Sequence, residues 1–296
     1  MDVSIAVPNS TCTLVMRRDD LLHPQISGNK FRKLKYNLLE AKDKGFKTIL
    51  TFGGAFSNHI AATAAAGKIH GLKTIGFIRG EELAANYLDN PTLALAASLG
   101  MEFVFIDRET YRNKHNPAFL EALQKEYPQV YIVPEGGSNH LAIKGCEEIL
   151  DQEGDVNFDY VATPVGTGGT FSGIIRALKN SQKAIGFTVV RDSNLEFFIQ
   201  SNVTSNASWC LNADYDFGGY AKFDDQLIAF INWFKTTYQI PLDPIYTGKM
   251  MFGIFDMISK GAFPQGAKIL VIHTGGLQGI AGINQKLSKK NQKLII

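Results

Sequence analysis

The stretch Tyr160-Val161-Ala162-Thr163-Pro164-Val165-Gly166-Thr167-Gly168-Gly169-Thr170-Phe171 decides the fold. It opens on a short β-branched run, Tyr160–Thr163, and passes through the glycine loop Gly166–Thr170. A helical pattern follows over Phe171–Lys179. A strand leading through glycines into a helix is the repeating unit of a parallel sheet. The amides and threonine hydroxyls of such a loop can cradle a phosphate at the helix N-terminus. No Gly-Lys-Ser/Thr follows, so this is not a Walker loop, and the Gly-x-Gly-x-x-Gly fingerprint of dinucleotide sites is absent. Taken alone, a loop of this kind is most often a tight strand-to-helix turn.

The same rhythm extends in both directions. Short apolar runs at Thr48–Phe52, Thr74–Ile78, Phe103–Ile106, Val130–Val133, Phe187–Val190 and Lys268–Ile272 read as strands. Between many of them lie helical patterns: Phe31–Lys42, Ile60–His70, Pro117–Glu126, Leu141–Leu150, Asp224–Thr237 and Gly248–Ser259. Asn90-Pro91 opens another by cap and first-turn proline, and Gly100 closes it. This alternation predicts an α/β chain with open parallel sheets covered by helices on both faces. Two more glycine loops follow strands, Gly53-Gly54-Ala55-Phe56-Ser57-Asn58-His59 and His273-Thr274-Gly275-Gly276. In such sheets ligands bind beyond the carboxyl ends of the strands, where these loops collect. The turn Glu135–Asn139 reads as structural. Over Ser193–Tyr220 the pattern weakens, which fits either an insertion covering a site or a variable connection.

At 296 residues the chain suggests two domains. A net charge of +2, from 30 basic and 28 acidic residues, gives no electrostatic case for nucleic acid or an anionic membrane. Cys12, Cys146 and Cys210 are odd in number and widely spaced, which suggests neither a disulfide framework nor a metal site. No basic-then-apolar leader and no membrane-length apolar run is visible, so a cytoplasmic, soluble protein is expected.

One lysine segment stands apart: Ser27-Gly28-Asn29-Lys30-Phe31-Arg32-Lys33-Leu34-Lys35-Tyr36. One reading is a basic helix capped by Asn29, with Arg32, Lys33 and Lys35 solvated. The other is chemical. A glycine lets the backbone approach a bound group closely, and lysine is the side chain that forms a Schiff base with a carbonyl cofactor.

Together these words resemble the 1-aminocyclopropane-1-carboxylate deaminase and D-cysteine desulfhydrase family of fold type II pyridoxal-phosphate enzymes. The words are Gly-Asn-Lys-x-Arg-Lys at Gly28–Lys33, Gly-Gly-x-x-Ser-Asn at Gly53–Asn58 and Gly-Thr-Gly-Gly-Thr at Gly166–Thr170. They continue with Leu-Asp-Pro-Ile-Tyr-Thr-Gly-Lys at Leu242–Lys249 and His-Thr-Gly-Gly at His273–Gly276. The resemblance runs from Arg17-Arg18-Asp19-Asp20 to Gly276, nearly the whole chain. It implies a two-domain, tryptophan-synthase-β-like fold. Residues 1–40 and 141–296 would form the large cofactor domain and residues 41–140 a small α/β domain. It also implies pyridoxal 5'-phosphate in the cleft between them, a small amino-acid substrate and a homodimer.

The resemblance carries roles residue by residue. Lys30 matches the lysine that holds the cofactor covalently and later moves protons at the substrate carbon. Lys33 and the loop Gly166, Thr167, Gly168, Gly169 and Thr170 match phosphate contacts. Asn58 matches the amide at the pyridoxal 3-hydroxyl, and Ser57 a residue at the substrate carboxylate. His59 stands where the deaminases carry glutamine, beside the substrate, although a lone histidine is usually a structural hydrogen-bonder. Tyr220 and Tyr246 match two tyrosines bordering the substrate. Thr247 replaces the glutamate that faces the pyridine nitrogen in the deaminase pattern, and Thr274 stands where deaminases tend to have an apolar residue. Both threonines resemble the desulfhydrase side, so β-elimination from D-cysteine is the expected reaction. Its rivals are 1-aminocyclopropane-1-carboxylate deamination and, in another class, a non-catalytic binder retaining the fold. Serine or threonine dehydration and racemisation fit the Leu242–Lys249 word less well.

Overall fold

The computed structural model describes residues 1–296 except 180, 204 and 205, so residues 204 and 205 of the weakly patterned Ser193–Tyr220 segment lie outside the described residues. The strands are β1 (Asp2–Ile5), β2 (Thr13–Arg17), β3 (Thr48–Gly53), β4 (Lys73–Arg79), β5 (Met101–Ile106), β6 (Val130–Val133), β7 (Tyr160–Val165), β8 (Lys183–Thr188), β9 (Ser208–Asn212) and β10 (Lys268–Ile272). The α-helices are α1 (Asn29–Asp43), α2 (Asn58–His70), α3 (Pro91–Ser98), α4 (Arg108–Arg112), α5 (Pro117–Glu126), α6 (His140–Glu147), α7 (Gly169–Ala177), α8 (Leu195–Asn202), α9 (Asp225–Tyr238), α10 (Thr247–Ser259) and α11 (Gly279–Ser288). They form two units. The first holds residues 1–22, 27–29 and 146–296, and the second holds 23–26 and 30–145.

The first unit is built on a six-stranded sheet in the order β1-β2-β10-β7-β8-β9. Among the described residues, only the edge pair β1–β2 of this sheet is antiparallel. Central strands such as Lys268–Ile272 are buried along almost their whole length, as expected where helices cover both faces. One apolar cluster joins β10 and β7 to α9, α10 and α11, and a second joins the sheet to α7 and α8. At the edge, fully buried Arg17 donates to Asp2 at 2.6 Å and to Asp155 at 2.6 Å, so its charge is paired inside the fold.

The second unit is a four-stranded parallel sheet in the order β5-β4-β3-β6. Helix α2 packs on it through an almost continuous run of small residues, Ala61, Ala62, Ala64, Ala65 and Ala66, all buried. That lets the helix lie close to the strands. At Gly67 a Cβ would meet Thr74 Cγ2 at 2.3 Å. The helix ends on Gly71 in the left-handed region (φ 67°), a conformation that favours glycine.

The strand expected at Phe187–Val190 lies earlier, at Lys183–Thr188. Gly186 lies inside this strand, and a Cβ there would meet Leu211 and Val165 at 2.8 Å. The glycine serves close packing inside the strand rather than ending it. The weakly patterned segment contributes α8 and β9, the latter a parallel edge strand beside β8.

Candidate active site

In the first unit β7 delivers its loop into the N-terminus of α7. Gly168 is the residue before the helix, with φ 81° and no side-chain cap. The amides opening the helix are therefore not consumed by a capping side chain, as an anion site requires. A Cβ on Gly168 would meet Phe198 Cδ1 at 2.8 Å, and one on Gly166 would meet the Tyr246 ring at 3.3 Å. Thr170 is buried, and its Oγ1 accepts from Asn29 Nδ2 at 2.8 Å. Thr167 is exposed.

Asn29 is thus tied to the glycine loop, one residue before Lys30 in the chain. Its backbone N–H also donates to the Thr274 carbonyl at 3.2 Å. Gly28 makes this approach possible: its φ is 64°, and a Cβ would stand 1.9 Å from the Thr274 oxygen. Three of the quoted words, Gly28-Asn29, Gly166–Thr170 and His273–Gly276, therefore meet in one unit. Behind the last, buried His273 pairs its Nε2 with the Pro241 carbonyl at 2.8 Å.

Tyr220 and Tyr246 meet edge to face, ring centroids 6.2 Å apart at 69°. Tyr220 is 42% exposed and sits in a run of left-handed residues: Phe217, Gly218, Gly219 and Ala221 all have positive φ. Fully buried Lys249 holds this run, its Nζ donating to the carbonyls of Asp216 at 2.7 Å and Gly219 at 2.8 Å. Burial lowers its pKa to about 8, against the pull of Asp216 and Asp243. Thr247, also fully buried, gives its hydroxyl proton to Asp243 Oδ1 at 2.7 Å and accepts from the Asp243 N–H at 3.0 Å. Asp243 accepts further from the amides of Ile245, Tyr246 and Thr247 at 2.8–2.9 Å. Burial raises the carboxyl pKa against these bonds.

The second unit holds the remaining candidates. Lys30 is half-buried at the start of α1, its Nζ donating to the Gly136 carbonyl at 3.3 Å. Lys33 is 1% exposed, with Nζ donating to Ser138 Oγ at 2.7 Å. Of the basic run read as a solvated face, only Lys35 is exposed, and the reading of Lys33 as solvated is overturned. Ser57 caps α2, its Oγ accepting from Ile60 N at 3.4 Å, and places Asn58 and His59 in the first turn. Ser57 and Asn58 are half-buried. His59 is 1% exposed and its Nε2 lies 2.8 Å from Thr51 Oγ1. Burial, then the charges of Lys30 and Lys33, hold its pKa well below 6.5, so it is neutral. The turn Glu135–Asn139 supplies both lysines with acceptors. It is fixed to α1 by the reciprocal amides of Asn37 and Asn139, 2.7 and 3.2 Å apart. Sequence reading passed over its part in the site because glycines mark a turn without showing what docks against it.

A family model for pyridoxal-phosphate dependent enzymes matches residues 7–275. The chain belongs to this pyridoxal-phosphate dependent enzyme family. It is 33% identical over 291 residues to a Pyrococcus horikoshii protein named for 1-aminocyclopropane-1-carboxylate deaminase, which covers 92% of this chain and 87% of the relative. It is also 33% identical over 303 residues to a mitochondrial Arabidopsis thaliana protein, with coverage of 93% and 74%. That relative is named bifunctional D-cysteine desulfhydrase/1-aminocyclopropane-1-carboxylate deaminase. The crystal structure of an ACC deaminase homologue superposes with TM-score 0.79 at 31% identity over 98% of this chain and 93% of that one. O-ureido-L-serine synthase shares the fold, with TM-score 0.70 at 13% identity over 95% and 90%. This pyridoxal-phosphate enzyme therefore has the fold type II architecture and groups with the deaminase and desulfhydrase relatives. Among the described residues no helix is long and apolar enough to cross a membrane.

In the first unit, an uncapped helix N-terminus behind left-handed Gly168 suits a phosphate dianion. In the second unit, taken by itself, buried Lys33 offers a compact ammonium. Lys30 offers a primary amine to a carbonyl carbon.

Proposed function

We propose that this enzyme catalyses β-elimination from D-cysteine or a related β-substituted D-amino acid, yielding a 2-oxo acid and ammonia. In this reading Gly166–Thr170 and Lys33 would hold the cofactor phosphate, Lys30 would be the lysine that anchors the cofactor and Asn58 would meet its 3-hydroxyl. When bound, the cofactor supplies an electron sink for a carbanion at the substrate carbon. Lys30 Nζ would take the proton from that carbon. The Cβ–S bond would then break, with the sulfur leaving with the electron pair and taking up a proton to depart as hydrogen sulfide, and one water would hydrolyse the remaining fragment to the 2-oxo acid and ammonia. Ser57 binds the substrate carboxylate, while Tyr220 and Tyr246 border the side chain.

The observation that carries the choice of substrate is Thr247. It stands where the deaminase pattern has glutamate, and its hydroxyl proton is committed to Asp243 at 2.7 Å. The residue adds no charge of its own to stabilise a protonated pyridine nitrogen. A weaker electron sink suffices to expel a thiolate but handicaps opening of a cyclopropane ring. The deaminase reading is favoured instead by the edge-to-face pair Tyr220–Tyr246, since ring opening draws on nearby phenols. Pyruvate from D-cysteine and 2-oxobutyrate from 1-aminocyclopropane-1-carboxylate, measured under matched conditions, separate the two. The expected result is a higher kcat/KM on D-cysteine, and a higher value on the cyclopropane substrate overturns the preference. A cytoplasmic homodimer belongs to the same reading, and light scattering of the purified protein tests the subunit count.

A further inference from the structure

His273 is fully buried, and its partners fix where its proton sits. Nε2 lies 2.8 Å from the Pro241 carbonyl, which has no proton to give, so Nε2 carries the imidazole proton. Nδ1 takes the N–H of Gly275 at 3.2 Å, so this nitrogen is a bare acceptor. The ring is neutral and held in one tautomer. Asp20 Oδ1 stands 3.4 Å from the same Nδ1, where it would suit an imidazolium. That carboxylate is already taken, because Arg18 Nε and Nη2 hold its two oxygens at 2.8 and 2.7 Å. Nδ1 is thereby left to the Gly275 amide.

The backbone of His273 is secured without its side chain. Its N–H donates to the Arg17 carbonyl at 2.9 Å, and its carbonyl accepts from the Asp20 N–H at 3.1 Å. What the ring adds lies elsewhere, and each nitrogen serves a different segment. The Nδ1 bond closes the turn Thr274–Gly276 as an asparagine does in an Asx-turn, with Gly275 and Gly276 at φ 79° and 92°. In that turn the Thr274 carbonyl takes the Asn29 N–H at 3.2 Å, and Asn29 reaches Thr170 of the glycine loop at 2.8 Å. The Nε2 bond ends on Pro241, two residues before Asp243, whose carboxyl group holds the Thr247 hydroxyl at 2.7 Å. One imidazole thus ties the turn carrying Thr274 to the segment carrying Thr247.

We propose that His273, as a neutral imidazole protonated on Nε2, is a positioning residue that sets Thr274 and Thr247 against the same cofactor ring. The inference rests on the reading that assigns both threonines to that ring. Its two bonds are separable by substitution. Asparagine offers an acceptor to Gly275 but is too short to reach Pro241 as well, and leucine offers neither bond.

The first test needs no variant. In the wild-type apoprotein labelled with 15N-histidine, His273 should show a protonated Nε2 and a bare Nδ1 at neutral pH. Adding pyridoxal phosphate should shift the Nδ1 resonance, because the turn it closes meets the cofactor. A protonated Nδ1, or a resonance unmoved by saturating cofactor, overturns the proposal. The second test separates the bonds. His273→Leu should weaken pyridoxal phosphate binding about tenfold or more, since a buried amide loses its acceptor. His273→Asn should bind the cofactor within about threefold of the wild type, because the turn is closed again. Its kcat should nevertheless fall about tenfold with KM little changed, because the link to Pro241 is gone. Equal losses of affinity in the two variants, or wild-type kcat in His273→Asn, overturn the role. Failure of the underlying reading looks different. Thr247→Val and Thr274→Val would then both keep wild-type kcat and the wild-type absorbance of the bound cofactor, whatever His273 does.

Discussion

Two buried polar centres in this molecule are made in opposite ways. Around Asp243 and Lys249 the polar groups are richly bonded. The carboxylate takes three backbone amides and one hydroxyl, and the ammonium takes two carbonyls. Around His59 the accounting is left open, with one ring nitrogen committed to Thr51 and the other without a partner. Both centres bury titratable groups, and burial shifts each away from its charged form. Their difference separates scaffolding from machinery. A well-bonded buried centre fixes a backbone, here the left-handed run that carries Tyr220. A buried acceptor without a protein partner leaves room for a donor from water or a ligand.

The sharpest way to break this contrast is to remove one lysine from each centre. Lys30→Ala should reduce turnover by at least about a thousandfold, since it removes both the nucleophile and the proton carrier, yet leave thermal stability near that of the wild type. Steady-state kinetics and a melting curve on the same preparation measure both. A variant retaining a tenth of wild-type turnover would place the chemistry on another lysine. Next in size is Gly168→Asp. A side chain there is strained at φ 81°, collides with Phe198 and brings a negative charge to the helix end assigned to the phosphate. Affinity for pyridoxal phosphate should fall by about two orders of magnitude or more, corresponding to roughly 3 kcal/mol for charge repulsion plus exclusion. Unchanged affinity in a folded variant would remove the loop from the phosphate site.

The legibility of the sequence follows the same division. The strand-loop-helix units were readable because β-branched runs and glycines report local backbone conformation directly. The strand read at Tyr160–Thr163 and the helix read at Phe171–Lys179 emerged as β7 and α7 with ends shifted by two residues, α5 emerged as read, and the helix opened by Asn90-Pro91 formed. Strands β1 and β2 were not readable. They are short, mix polar with apolar residues, and are fixed by Arg17 reaching Asp2 and Asp155, a pairing that no local pattern announces. At the site, Lys30, Asn58 and Gly166–Thr170 stand out as words. The burial of Lys33 and the lysine acceptors in Gly136–Ser138 depend on contacts about a hundred residues apart in the chain. A lysine in a basic run looks solvated until the turn that covers it is known.

Lys249→Met tests the bonded centre. It leaves the carbonyls of Asp216 and Gly219 without their donor, at a cost of about 1–3 kcal/mol. Urea denaturation should show this loss at pH 7, together with increased proteolytic nicking near Tyr220. The pH dependence has a definite sign. The Lys249 pKa is lowered from 10.5 to about 8 in the fold, so between those values the unfolded chain binds the extra proton. Stability from this group therefore rises with pH across that window, and below about pH 8 the burial penalty is present in full. The wild type should gain on the Met variant between pH 8 and 10. A difference that is flat with pH would show that Lys249 is not desolvated as the geometry indicates.

The smallest expected effect belongs to the open centre, and it runs in the other direction along the pH scale. His59 is neutral in the fold because its pKa is held well below 6.5, first by burial and then by Lys30 and Lys33. As pH falls through 6.5 the unfolded chain takes up a proton that the folded chain refuses, so stability is lost toward acid and is unaffected above about pH 7. Only one proton is involved, so the slope cannot exceed about 1.4 kcal/mol per pH unit. His59→Gln has no titrating group and should lose this component alone, so its denaturation free energy should converge on or overtake that of the wild type between pH 6.5 and 5. Above pH 7 the offset between the two proteins should be constant. Parallel acid profiles would mean that His59 is protonated in the fold, with a donor on both nitrogens, and the contrast between an open centre and a bonded one would disappear with it.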